Sequence, residues 1–346
     1  MAHVYVDGTC SVCGKAEPNP TITPSYASVS FEDEIILNIY FNVADLDDVA
    51  LSEMGLLTWT APQPDGTIDT AHCVIPGAAT DGTLYMVKSL GIPAKKLGDL
   101  VYFKVYAKLA DGSYVYSTLL QTSPKNYALG RIKNSTNEYM RRVCVAMLDY
   151  GAEAQTYFSY KPYDLMNATI TEEQQALIQE YSSSMVATLP TVDSAKASLI
   201  TDTGGFSSKY PTVSFDGAFS INFYFTPAYE MDGEMTLYYW GPDTYASVDK
   251  MTLSNATGSM TMEPTSTGAY WGNLTDIAAK QIDQEGYFVG VYQSGGLTYT
   301  TGVIVYSLGR YCQTTAAKES SSMKDLAAAT AVYGYYAKAY FAALGK

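Results

Sequence analysis

The sequence predicts a mainly β protein of the α+β class, built as two tandem antiparallel β-sandwich domains, each ending in a long amphipathic helix packed on its sheet. Three observations predict it. The chain repeats itself, each repeat opens with period-two alternation, and each closes on a helical period. With 346 residues there is room for two domains, since domains cluster at roughly 100 to 150 residues.

The repetition is read directly from the residues. Val29-Ser30-Phe31-Glu32 is echoed by Val213-Ser214-Phe215-Asp216, and Leu37-Asn38-Ile39-Tyr40-Phe41 by Ile221-Asn222-Phe223-Tyr224-Phe225. Trp59 then matches Trp240, Ile92-Pro93-Ala94-Lys95 matches Ile277-Ala278-Ala279-Lys280, and Phe103-Lys104-Val105-Tyr106 matches Val289-Gly290-Val291-Tyr292. The order continues with Tyr127 to Arg131 against Tyr306 to Arg310, and Tyr150-Gly151 against Tyr333-Gly334. The reading is residues 1–21 as a Cys-x-x-Cys tail, 22–161 as copy one, 162–207 as a partly helical linker and 208–346 as copy two.

In copy one Ile35, Leu37, Ile39 and Phe41 share one face of a strand; in copy two Phe219, Ile221, Phe223 and Phe225 do so. Further alternating stretches are separated by Asp65-Gly66, Asp81-Gly82 and Asp111-Gly112, which are turn signals, and short strands at this spacing predict an antiparallel sandwich. The period then changes. Ser135 with Glu138 reads as a capping box, followed by Met140, Val143, Cys144, Met147, Gly151, Ala154 and Phe158 on one helical stripe. Gly151 and Gly334 hold the same place in the two stripes, and a helix-interior glycine costs about 0.5 to 1 kcal/mol, so close packing against a sheet is expected there. In the linker, Thr171 with Gln174 opens another helix, expected to run to about residue 187.

Composition narrows the function. Hydrophobic residues make up 47% and charged residues 16%, which is enough apolar surface to fold. A net charge of −14 repels a phosphate backbone, which argues against nucleic acid and against an anionic membrane surface. No apolar run approaches the roughly 18 to 20 residues that span a bilayer, and the N-terminus lacks the basic-then-apolar order of a signal peptide. With 31 Tyr and only two His, the mix is that of secreted bacterial β-domains, so an extracellular, secreted or cell-surface location is expected.

Five cysteines, with one close pair, do not make a disulfide scaffold; Cys144 and Cys312 fall in helical patterns as small core hydrophobes. His3, Cys10 and Cys13 offer three soft ligands, part of a tetrahedral zinc site, though a local disulfide or the leftover of a preceding module fits the same residues. His72 beside Cys73 makes a poor nucleophile and base, because neighbours on a strand point to opposite faces. Asp45, Asp47 and Asp48 supply hard oxygen ligands for calcium, with Glu230 and Asp232 near the equivalent place, and a solvated loop is the competing reading. The clearest matched acids, Glu32 and Asp216, stand at strand starts, where they give no support to a pair of glycosidase carboxylates.

The stretch Cys10-Ser11-Val12-Cys13-Gly14 resembles short segments that recur before or between domains in large secreted proteins of gut Clostridia. Ile92 to Lys95, Tyr102 to Tyr114, Leu148 to Gln155 and Ala329 to Ala337 are similar to a duplicated module near the ends of those proteins. The resemblance covers nearly the whole chain. It implies a secreted or surface-attached precursor with further domains, and carries no functional residues with it.

Aromatic residues remain as the functional signal, because Trp and Tyr rings cover the apolar faces of sugars and anchor protein interfaces. Trp59 and Trp240, Asn38 and Asn222, and Tyr40 and Tyr224 occupy matching places and serve the shared fold. Trp271 differs, because its counterpart is Met86. Trp271, Tyr270 and Asn273 are therefore the expected ligand contacts, burial being the competing reading for the tryptophan. The sequence favours a non-catalytic binding or adhesion module for a glycan or host surface, ahead of a structural spacer and of a glycoside hydrolase.

Overall fold

The computed structural model describes residues 5–7, 9–14, 20–32, 34–44, 51–229 and 233–346. It is an α+β protein with antiparallel sheets and helices, and its chain divides into two compact units. The first comprises residues 1–30, 35–91 and 98–127; the second comprises 31–34, 92–97 and 128–346.

The first unit opens with a small hairpin of β1 (Tyr5–Val6) and β2 (Thr9–Cys10). Then follow β3 (Thr21–Ser30), β4 (Ile36–Ala44), β5 (Leu51–Trp59), β6 (Cys73–Pro76), β7 (Ala79–Asp81), β8 (Leu84–Lys88), β9 (Val101–Leu109), β10 (Tyr114–Tyr116) and β11 (Leu120–Thr122). One sheet has the order β3-β4-β8-β7, the other β10-β9-β5-β6 with β11 also on β9. The sheets lie against each other, β3 on β9 and β10, and β8 on β5. Period-two alternation decides which side chains meet between them: Leu37, Ile39 and Phe41 are buried, as are Leu56, Phe103 and Val105. The opposite face of the β9-containing sheet buries Leu57, Trp59 and Tyr106 beneath Ile68, Ala71 and Leu119, and the Trp59 Nε1–H donates to Thr70 O at 2.8 Å.

The second unit repeats this plan with each strand number raised by nine. Its strands are β12 (Phe206–Ser214), β13 (Phe219–Pro227), β14 (Gly233–Trp240), β15 (Gly258–Thr261), β16 (Glu263–Pro264), β17 (Tyr270–Ile277), β18 (Gly286–Ser294), β19 (Leu297–Thr300) and β20 (Ile304–Tyr306). The orders are β12-β13-β17-β16 and β15-β14-β18-β19 with β20 on β18. Phe223 meets Phe288 across the two sheets with ring centroids 4.4 Å apart. Trp240 is fully buried in a cluster with Met251, Tyr287 and Ile200, its Nε1–H donating to Asn255 Oδ1 at 3.0 Å. The two tryptophans thus hold the same structural post.

Strand pairing corrects the sequence alignment at two points. Trp59 pairs with Tyr102 and Trp240 with Tyr287, so Phe103 corresponds to Phe288, one residue away from the match read from identities. Ser123 and Ser307 both cap a following helix, accepting from Asn126 N and Arg310 N, so Tyr306 ends a strand whereas Tyr127 lies inside a helix.

The helices are α1 (Pro124–Asn134), α2 (Glu138–Tyr157), α3 (Glu172–Gln175), α4 (Pro242–Ser247), α5 (Leu308–Ala316) and α6 (Lys324–Ala343). The cap of α2 is Asn137, whose side chain accepts from Met140 N, two residues beyond the Ser135 expected. The Thr171 capping box forms, yet α3 lasts a single turn before a 3-10 turn at Ser183–Met185, where Ser182 offers its own cap. Helix α6 packs on α2, and Tyr150 stacks on its counterpart Tyr333 at 5.5 Å and 9°.

The expectation that Gly151 and Gly334 press against a sheet is replaced by contact with 3-10 turns. A Cβ on Gly151 would lie 3.3 Å from Ala94 O and Leu97 Cδ1, and one on Gly334 would lie 3.0 Å from Ala279 O and clash with Ile282. The inner sheet faces cover each other, and the outer face of the β18 sheet is covered by the stretch around Ala197 and Tyr245. The helices bury their glycines where a tight turn brings backbone within reach.

Candidate ligand-binding face

The register of β17 on β13 decides what Trp271 and its neighbours do. Tyr224 pairs with Trp271 and Asn222 with Asn273, while Phe223 pairs with Gly272 and Phe225 with Tyr270. Because successive side chains alternate, Trp271 and Asn273 stand on the outer face of the sheet and Tyr270 on the inner one. The Tyr270 ring lies edge-on to Tyr292 at 5.5 Å, their hydroxyls 3.4 Å apart. Of the three residues the sequence singled out, two share a face and the third joins the packing between sheets.

The outer face carries more than those two. Tyr210 on β12 pairs with Tyr224 and stacks on it at 5.3 Å and 12°, which places Tyr210, Tyr224 and Trp271 in one row across three adjacent strands. Tyr210 is 47% exposed, and Tyr224 and Trp271 are half-buried. Glu263 on β16 pairs with Trp271 at the sheet edge. Below this row the Asn222 side chain donates to Ser214 Oγ at 2.9 Å, and Asn273 lies beside it. A row of rings flanked by amides and a carboxylate presents apolar surface and hydrogen-bonding groups together.

Copy one has the same scaffold with different surface residues. Tyr26 stacks on Tyr40 at 4.4 Å, Tyr40 pairs with Met86, and Asn38 pairs with Lys88. Met86 thus holds the place of Trp271, as the sequence expects, and Lys88 the place of Asn273. Tyr210 lies outside the aromatic matches of the second strand, Tyr40 with Tyr224, from which the sequence reading is built. The signal was present, since Tyr26 and Tyr210 stand equally far ahead of the matched Val29 and Val213.

Cys10 is buried, Cys13 is exposed, and the two are not joined in a disulfide; Gly14 N donates to Cys10 O in a tight turn. His3, Asp45, Asp47, Asp48, Glu230 and Asp232 lie outside the described residues, and among the described residues no group of three or more His, Cys, Asp or Glu is placed to hold a metal. Burial pushes the Cys144 thiol up to about 12 and the Cys312 thiol higher still, far from the thiolate range. Glu32 and Asp216, the matched acids, pair with Lys346 and Lys95 at 3.3 Å and 2.9 Å. No described helix is long and apolar enough to cross a membrane.

No family model and no curated protein sequence matches the chain. Solved structures with distant likeness include astrotactin-2, a vertebrate-specific perforin-like membrane protein of neuronal development, at TM-score 0.21 and 11% identity over 78% of this chain. The chain spans 51% of that structure's length. The three fibronectin domains FN1–FN3 of chicken CNTN1 align at TM-score 0.22 and 8% identity, covering 84% of this chain and 99% of that one. The BSP domain of a biofilm-associated protein aligns at TM-score 0.17 and 8% identity, covering 87% and 53% respectively. At these scores none of them lends this chain a function.

Proposed function

We propose that the chain is a pair of β-sandwich domains serving as a non-catalytic binding or adhesion module of a secreted or surface-attached bacterial protein, with a glycan or host surface as its ligand. The observation that carries this reading is the outer face of the second copy, where Trp271 extends the shared tyrosine pair into a row of three rings. Rings in a row across a sheet suit the apolar faces of sugars, and the amides of Asn222 and Asn273 suit hydroxyls. The acidic net charge of −14 disfavours nucleic acid as the partner. Composition and the resemblance to clostridial surface proteins support the extracellular location, and further domains of the same precursor would supply any catalysis.

The test is binding of the chain to a glycan array and to mucosal glycoproteins, with Trp271→Ala alongside. The expected result is binding that weakens by about 2 kcal/mol or more in the variant, as for a central aromatic anchor. Binding undiminished by the substitution would exclude this face, and a blank array with the protein intact would leave a spacer role.

A further inference from the structure

At one end of the second unit's paired sheets, where β13 and β18 begin and β14, β17 and β20 finish, the chain lines a cavity of about 190 Å³. Its floor is apolar, made by Ile221, Leu274 and Phe288 beside the end of β14 at Trp240, whose own ring packs in the cluster on the outer face of the β18 sheet. Its rim is polar, with Asp276, Gln281, Gln284 and Glu285 around the mouth. Asp276 holds a left-handed backbone, φ 61°, and accepts from Thr275 Oγ1 at 2.8 Å. Residues other than glycine adopt that conformation seldom, and strain of this kind gathers at binding sites.

The lining belongs to the second copy. Gly286 pairs with Tyr306 where the first copy pairs Val101 with Thr122, so the equivalences are fixed by register. Glu285 then stands for Leu100, and Gln281 for Lys96 at the third place of the matching 3-10 turns. Gly286 also lets the Phe288 ring lie close, since a Cβ there would sit 2.6 Å from Phe288 Cζ. A valine at this place forces the Phe288 ring, part of the floor, to shift.

We propose that this cavity binds a single sugar residue, free or at the end of a glycan. A pyranose has an apolar C–H face and a girdle of hydroxyls, and the site offers an aromatic and aliphatic floor beneath two amides and two carboxylates. A cavity of about 150 Å³ takes benzene, whereas pockets for drug-sized ligands start at roughly 300 Å³, so the volume suits one ring and excludes two. A wholly apolar ligand would strip water from the rim without replacing its hydrogen bonds. The inference shares no residue with the outer face and does not rest on it.

The three tryptophans give three indole N–H signals in a proton–nitrogen correlation spectrum: Trp240 at the cavity, Trp271 on the outer face and Trp59 in the first unit. The full chain is titrated with glucose, galactose, mannose and N-acetylglucosamine at millimolar concentrations. At least one sugar is expected to shift the Trp240 signal saturably, with Kd about 1 mM, leaving the other two in place. Gly286→Val and Glu285→Leu, each importing the first copy's residue, are expected to weaken this by about tenfold or more. Should Gly286→Val unfold, Glu285→Leu decides alone. The proposal is overturned if no sugar moves the Trp240 signal, or if the shift persists in folded variants. A sugar that moves only the Trp271 signal overturns it too, while leaving the outer face as the binding surface.

Discussion

Between their sheets the two copies fill the same space with different side chains. In the first, Phe41 stacks on Tyr85 at 5.6 Å, and the facing sheet buries Val105 and Ala107. In the second, Val105 becomes Gly290 and Ala107 becomes Tyr292. Phe225, the counterpart of Phe41, lies over the glycine and turns towards Phe206 and Phe223, both 6.0 Å away, while Tyr270 turns to Tyr292. A medium–small pair has been exchanged for a small–large pair. Close-packed interiors tolerate this because one position shrinks as the other grows, and each phenylalanine takes the direction its neighbour leaves open. The duplicated backbone fixes which face a residue occupies and leaves its size open to exchange.

Importing one half of the exchange tests this hardest. A Cβ on Gly290 would lie 2.5 Å from Phe225 Cε2 and 3.0 Å from Thr301 Cγ2, and Phe225 is fully buried. Gly290→Val is expected to cost about 2 to 3 kcal/mol in urea denaturation. Adding Tyr292→Ala, the other half, frees room for the ring to swing, and a favourable coupling of about 1 kcal/mol is expected in the double variant. Strictly additive losses would show that the two positions do not exchange volume.

The stacked tyrosines of α2 and α6 offer a second, smaller contrast. Tyr150 and Tyr333 are equivalent and buried, and burial raises both hydroxyls well above the usual tyrosine range. Among the described residues the buried Tyr333 hydroxyl has no hydrogen-bond partner. Removing an unsatisfied buried donor returns its desolvation cost, so Tyr333→Phe is expected to stabilise the chain by about 1 kcal/mol with the stack intact. A loss of stability would reveal a partner for that hydroxyl.

Sequence periodicity reached the strands because a period of two leaves no ambiguity about faces: Phe219, Ile221, Phe223 and Phe225 are all buried as expected. It failed where identity outweighed register. Matching Val105-Tyr106 to Val291-Tyr292 slipped the strand by one residue, which would have turned Tyr292 away from the interior it shares with Tyr270. The helices were legible as helices, yet their partner was not, since a small-residue stripe fits a sheet, a turn or another helix equally well. At the outer face, Trp271 stands out by differing from Met86 of the first copy, and Asn273 comes with it from the same glycine-rich stretch. Tyr270 is adjacent to Trp271 in sequence, which on a strand means the opposite side. The cavity gave no signal, because Gly286 acquires meaning only from the position of Phe288.

The smallest effect on stability is expected where the copies differ most in chemistry. Met86 is half-buried and Lys88 exposed on the outer face of the first copy, beside the stacked Tyr26 and Tyr40. Surface replacements of this kind stay within about 0.5 kcal/mol, so Met86→Trp with Lys88→Asn should leave the denaturation midpoint almost unmoved. The change nevertheless rebuilds the row of three rings on the first copy. If that row is what recognises the ligand, calorimetric titration with a glycan bound by the parent chain should show one additional site, because the tyrosine pair beneath it is already in place. Unchanged stoichiometry, with the folded state intact, would mean that recognition needs features of the second copy beyond Trp271 and Asn273, and would move attention to Glu263 at the edge of its sheet.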